Sequence, residues 1–153
     1  MMGLIKTLDA LHPKARTVME ALIEGFKQRG IRFAIVETLR TAAVQAAYYA
    51  QGRQSLDQVN TLRKQAGLYL FTKSGENYKI TNVTHSSHED GFAADIVPVL
   101  PSGSIPWNVV EYPGMWRAMG DVGLSLGLDW GGTWAPLNRA GIGWDAPHYQ
   151  LMR

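Results

Sequence analysis

Four residues far apart in this chain carry the chemistry of a metal centre: His88, Asp95, Asp145 and His148. A catalytic zinc ion needs nitrogen or oxygen donors at three corners of a tetrahedron and a fourth corner left for water, and His88, Asp95 and His148 offer those three donors. Asp145 would then stand beside the water. His88 and Asp95 are seven positions apart, which is not a helical i, i+4 pair, so a bend must bring them together. Gly91 supplies the bend, and Ala93 and Ala94 leave room beside an ion. Asp95 runs into Ile96-Val97 and is expected on a core strand, where a carboxylate is costly unless it is paired or bound to metal. The plainer reading, in which His88 and Asp95 are exposed residues of a glycine-containing loop, stands beside the metal reading of that loop taken alone. The pair Asp145-x-x-His148 weighs against it, because Pro147 holds the backbone extended before the histidine and lets one side chain reach a metal and the other its water.

These residues need a stiff frame. His12-Pro13 opens a helix in which Val18, Leu22, Ile23 and Phe26 recur at helical spacing until Gly30 ends it. Ile31 to Thr38 is rich in β-branched and aromatic residues and is expected to be a strand, followed by an alanine-rich helix from Thr41 to Gln51, with Arg40 at the junction. A short helix is expected over Leu56 to Gln65, then a hairpin of Leu68–Thr72 and Tyr78–Val83 around Ser74-Gly75-Glu76-Asn77. A strand over Phe92 to Val99, a loop over Pro101 to Pro106, a helix over Tyr112 to Leu126 ended by Gly127, a Gly- and Trp-rich loop over Trp130 to Trp144 and a last strand over Pro147 to Met152 complete the pattern. Strands without a regular βαβ alternation predict an α+β domain with a small antiparallel sheet. Both metal-binding segments then fall at strand edges or adjoining loops.

Composition narrows the function classes. With 153 residues, 46% of them hydrophobic and 18% charged, the chain buries one good core and has no room for a second of comparable size, so residues 1–153 are expected to form a single domain. The absence of cysteine excludes disulfides and thiolate zinc sites, which leaves His, Asp and Glu to hold any metal. A formal charge of +2 without runs of like charge does not suggest nucleic-acid binding. The N-terminus lacks the apolar stretch of a secretion signal and no window approaches the ~20 apolar residues of a membrane span, so the expected product is a soluble protein made in the cytoplasm, without membrane insertion.

Ser86-x-His88-x-x-Gly91-x-Ala93-x-Asp95 together with Asp145-x-Pro147-His148 resembles the zinc peptidases of the D-alanyl-D-alanine carboxypeptidase and L-alanyl-D-glutamate endopeptidase group, most closely their short phage endolysins. Arg40-Thr41, Gln45 and Tyr49-Ala50-Gln51-Gly52-Arg53 look like that family's segment near its N-terminus, and Leu128-Asp129-Trp130-Gly131-Gly132-x-Trp134 resembles its tryptophan-glycine turn. The segments keep the family's order from Arg40 to His148. Two departures are Thr38-Leu39 where the family commonly has Gly-Tyr or Gly-Phe, and the long stretch from Arg53 to Thr84, which is expected to cover or shape the cleft.

The resemblance implies a fold like that of hedgehog and DD-peptidase domains, with helices packed to one side of the sheet. It implies one zinc ion on His88, Asp95 and His148, Asp145 as the base that takes the water's proton and returns it to the leaving amine, and Arg40 as partner of the oxyanion. The implied substrate is the peptide stem of bacterial peptidoglycan, cut between L-alanine and D-glutamate, with a D-alanyl-D-alanine carboxypeptidase as the alternative and a zinc-containing binding module as the alternative of another class. A monomer without a wall-binding module, reaching the wall through a separate holin-type pore, is the expected setting. His85 is read as a residue behind the ligands or exposed to solvent, Glu89 and Asp90 as solvated loop charges in preference to the catalytic base, and His12 as a helix start. Glu37 is weighed between pairing with Arg40 and a surface carboxylate, Gln45 and Tyr49 as one helix face, and Trp130, Trp134 and Trp144 between groove lining and core.

Overall fold

The first helix forms where the sequence predicts it. His12 caps it by accepting a hydrogen bond from the Lys14 amide on Nδ1 (3.2 Å), Pro13 takes the first turn, and Ala15, Met19, Leu22 and Phe26 make one fully buried stripe over α1, Pro13–Gln28. Each large side chain in such a stripe contributes about 1.5–3 kcal/mol on burial. The computed structural model describes residues 3–153. Its further elements are β1 (Phe33–Glu37), α2 (Ala42–Ala50), α3 (Leu56–Gln65), β2 (Ala93–Pro98), α4 (Pro113–Ser125), β3 (Asp129–Trp130) and β4 (His148–Gln150), with 3-10 turns at Leu8–Ala10, Ser74–Glu76 and Gly131–Thr133.

The four strands form one antiparallel sheet in the order β1-β2-β4-β3, and the fold is α+β. The helices α1 and α4 cover the face to which Ala94, Ile96 and Tyr149 contribute, where Trp116, Met119 and Trp130 complete the main core. Side chains alternate along a strand, so Asp95 points away from Ala94 and Ile96. In the register of the sheet Asp95 lies opposite Glu37 on one side and His148 on the other, which sets three polar residues in a row across β1, β2 and β4. Two smaller apolar clusters seat α2 and α3: Val44, Ala47 and Ala66 form one, and Ala50, Val59 and Phe71 the other. Ser55 and Gln58 close a capping box at the start of α3 (3.2 and 3.1 Å).

The expected hairpin does not form. Residues 68–83 run as an irregular segment with one 3-10 turn at Ser74–Glu76, because side chains of α2, α3 and the turn after α2 take the backbone groups that a ladder would use. Asn60 holds both the amide (2.8 Å) and the carbonyl (2.9 Å) of Phe71, Arg63 holds the Tyr69 carbonyl (2.7 Å), Gln45 that of Val83 (2.8 Å) and Arg53 that of Thr81 (3.0 Å). The last strand is shorter than expected, and Asp129–Trp130, at the start of the predicted tryptophan loop, pairs with it as β3. No described helix is long and apolar enough to cross a membrane.

Candidate active site

Gly91 makes the bend between His88 and Asp95 with φ +76°, in the left-handed region that suits glycine, and a Cβ there would meet the His12 amide nitrogen at 2.8 Å. The chain then enters β2, where Asp95 faces His148 across the ladder. One ligand atom from each of His88, Asp95 and His148 lies within 4.8 Å of the others. His88 Nε2 is 3.2 Å and His148 Nδ1 3.4 Å from Asp95 Oδ1.

The ring nitrogens turned away from this point settle the tautomers. His88 Nδ1 lies 2.8 Å from the Thr38 carbonyl, which can only accept, so Nδ1 carries a proton and, in the neutral ring, Nε2 has the lone pair. His148 Nε2 lies 2.9 Å from Gln150 Oε1. The Gln150 amide nitrogen donates to Asp129 Oδ2 (3.2 Å), which fixes that amide's orientation, so His148 Nε2 is the donor and Nδ1 holds the lone pair. With both rings neutral, two lone pairs and a carboxylate oxygen therefore converge with no proton among them. Such an arrangement repels itself unless a cation or extra protons lie between, and this donor set of two imidazoles and one carboxylate suits zinc. Burial opposes the charge on Asp95, yet the attraction of His88 and His148 outweighs it and holds Asp95 well below the usual carboxylate range. His148 is drawn the other way: burial lowers it, and the hydrogen bond and charge of Asp95 raise it further than burial lowers it.

Asp145 Oδ2 stands 3.7 Å from His148 Nδ1 at the edge of this group. Burial and the nearby charge of Asp95 raise its pKa above the ordinary aspartate value. The tryptophan-glycine turn holds this segment in place. Trp130 is buried and donates from Nε1 to the Ala146 carbonyl (2.7 Å), and a Cβ on Gly131 would run into the Asp145 backbone (2.9 Å to its carbonyl carbon). Trp134 donates to Asp129 Oδ1 (2.9 Å) and sets its ring 5.0 Å from that of His148, so Trp134, Asp129, Gln150 and His148 form one chain of contacts. Trp134 and Trp144 line the cleft, whereas Trp130 belongs to the core.

Arg40 enters from the junction of β1 and α2. Glu37 Oε1 accepts from Arg40 Nε (3.0 Å) and forms an ion pair with Nη2, while Gln45 accepts from Nη1 (2.8 Å). Burial works against the Arg40 charge, and the hydrogen bond and charge of Glu37 more than offset it, so its pKa is raised. Glu37 is thus buried and paired, not a surface carboxylate, and Gln45 is a fixed partner of the arginine as well as a packed residue. Arg40, His88, Asp95, Asp145 and His148 all line one cleft of about 490 Å³, and Ile80 to Val83 of the long 53–84 stretch form part of its wall.

The flanking polar residues are more engaged than free loop charges. Glu89 accepts from the Ser86 amide (2.7 Å), and Asp90 bonds His85 (2.9 Å) and pairs with Arg153, while His85 is largely exposed. Thr38 and Gln150 were not singled out from sequence. Thr38 acts through a carbonyl, which any residue supplies and no motif can flag. Gln150 did leave a signal, since it lies two positions after His148 on the same strand face.

Three likenesses follow from this frame. The crystal structure of the Serratia marcescens L-Ala D-Glu endopeptidase ChiX has the same fold, with a TM-score of 0.53 and 22% identity over 95% of this chain and 83% of that one. The peptidoglycan L-alanyl-D-glutamate endopeptidase CwlK of Bacillus subtilis (strain 168) is 27% identical over 148 residues, covering 93% of this chain and 74% of that protein. A family model described as D-alanyl-D-alanine carboxypeptidase matches residues 80–151. Together these likenesses support the M15 peptidase group as the one this chain resembles. The stretch matched by the family model contains His88, Asp95, Asp145 and His148 and leaves Arg40 outside. Gln150→Ala, which frees the His148 ring without removing a donor, is expected to weaken metal binding about 10- to 100-fold in a zinc-competition titration.

Proposed function

We propose that this chain is a zinc-dependent peptidoglycan hydrolase that cuts the peptide stem at the L-alanyl-D-glutamate bond. The observation that carries the reading is the convergence of two imidazole nitrogens and the Asp95 carboxylate in a cleft that also holds Asp145 and Arg40. The relatives named as L-alanyl-D-glutamate endopeptidases support the bond. Zinc on His88, Asp95 and His148 would bring its bound water towards a pKa of ~7 and polarise the scissile carbonyl. Asp145 takes the water's proton on its carboxylate and passes it to the leaving amine, a double role suited to a carboxylate that stands beside the three donors without being one of them. Arg40, pinned by Glu37 and Gln45, keeps hydrogens on Nη1 and Nη2 for the oxygen that gains charge as the carbonyl becomes tetrahedral.

All five residues come from one chain, which supports a monomer acting alone. The setting proposed with this chemistry is that of a short phage endolysin, held in the cytoplasm until a separate holin-type pore opens the membrane. The family model's description favours D-alanyl-D-alanine cleavage as the second reading. Digesting purified peptidoglycan and sequencing the new peptide ends by mass spectrometry separates the two. New amino-terminal glutamate is the expected result, released D-alanine would replace it by the second reading, and unchanged muropeptides would leave a zinc-containing binding module.

Metal affinity should rise with pH. His148 has a pKa raised above the ordinary histidine value, so below that raised value a proton occupies the nitrogen that zinc needs. Competition titrations on either side of neutrality are expected to show affinity falling about tenfold per pH unit for each proton displaced on the acid side. A flat profile would mean that no histidine proton competes.

A further inference from the structure

A second cavity of about 280 Å³ opens beside the cleft, and Tyr48 and Ile80 line both. Its notable wall residue is Arg63 of α3, only 3% exposed. Two of its nitrogens are engaged: Nε donates to the Tyr69 carbonyl (2.7 Å) and Nη1 to Gln51 Oε1 (2.7 Å). Among the described residues Nη2 has no hydrogen-bond partner and no carboxylate pairs with this guanidinium. The rings of Phe71 and Tyr69 lie 4.0 and 4.5 Å from its central carbon. Its direct partners are neutral oxygens and aromatic faces, with Glu76 acting on it only from beyond ion-pair distance, and two-pronged recognition of a carboxylate is what a planar guanidinium does best.

We propose that this second cavity is a carboxylate subsite in which Arg63 grips an acidic group of the peptide substrate, at a residue beyond the bond being cut. The inference rests on the hydrolase reading above and adds to it where an extended peptide lies: across the cleft, past Tyr48, with its acidic group beside α3. Burial pushes the Tyr48 phenol up to about 12, so Tyr48 stays a neutral hydroxyl donor between the two arginines. Glu76 also lines the cavity, outside ion-pair reach of Arg63, where its negative charge disfavours an incoming carboxylate. The 53–84 stretch would then serve substrate selection, since α3 and Tyr69 to Ile80 build the cavity.

The test compares two stem peptides that differ only in carrying a carboxylate or a carboxamide beyond the scissile bond, using the full zinc-loaded chain. The wild-type KM is expected to be roughly 10- to 100-fold lower for the acid, as a charge-assisted hydrogen bond implies, with kcat alike. Arg63→Lys keeps the charge but loses the planar fork and should narrow that ratio, whereas Glu76→Gln should widen it. Equal KM values for the two peptides, or an Arg63→Lys change that affects both peptides alike, would overturn the subsite. Calorimetric binding of the same peptide pair to wild-type protein separates this from the hydrolase reading. Acid-selective binding without cleavage keeps the subsite and removes the hydrolase, and cleavage of both peptides alike does the reverse.

Discussion

Asp145→Ala is expected to keep its metal and lose hydrolysis. In the proposed site the three donors belong to His88, Asp95 and His148, and the Asp145 carboxylate stands to one side, 3.7 Å from His148 Nδ1. Its backbone carbonyl accepts from the His148 amide (3.0 Å), and Trp130 anchors the adjacent Ala146 carbonyl, so truncating the side chain leaves the turn in place. Loss of the base is expected to cost about 10²–10⁴ in kcat, with zinc content unchanged on metal analysis. The acid limb of the wild-type rate profile carries the same signature. A base must be deprotonated to act, so activity should fall away on the acid side as Asp145 binds a proton, with burial and the charge of Asp95 raising its pKa and a bound dication opposing them. A zinc-free Asp145→Ala protein, or a fully active one, would contradict the assignment.

His88→Ala is expected to lose both metal and activity. The ring supplies one of three donors, and its removal should cost more than the about 10- to 100-fold loss of affinity that follows from disturbing an outer-shell partner. It also strips the Thr38 carbonyl of its donor in a buried place, an effect of about 1–3 kcal/mol on stability. His85→Ala is the matched control, because His85 lies three positions away, is largely exposed and makes its bonds to Asp90 and Glu89. That variant should bind zinc as the wild type does. Zinc content measured on both proteins, after folding is checked by circular dichroism, distinguishes the two histidines.

The grouping of His88, Asp95 and His148 was legible because each lies in a segment whose local rules are strong. A glycine makes the bend, a β-branched run makes the strand, and a proline sets the entry to β4. The α+β class was legible for the same reason, with α1 marked at both ends and by its apolar stripe. What escaped were contacts that depend on tertiary placement. The 68–83 segment has the composition of a hairpin, yet Asn60, Arg63, Gln45 and Arg53 claim its backbone groups, and their reach cannot be seen until α2 and α3 are packed. Glu37 could be paired with Arg40 on spacing, but its burial follows from lying opposite Asp95 in the sheet register. Thr38 acts through its carbonyl and is silent in any sequence pattern. The tryptophan-glycine turn was recognisable as a unit, while its physical work emerged from the contacts of Trp130, Asp129 and Gly131 with the segment 145–150.

In the proposed mechanism one divalent ion held by His88, Asp95 and His148 makes this protein active. The direct measurement is to strip the protein with a chelator, remove the chelator, and titrate zinc back while following release of stem peptides from purified peptidoglycan. Activity is expected to vanish on stripping and to return in proportion to zinc up to one ion per chain, with no return in His88→Ala. Full activity of the metal-free protein, or restoration of His88→Ala at the same stoichiometry, would contradict it.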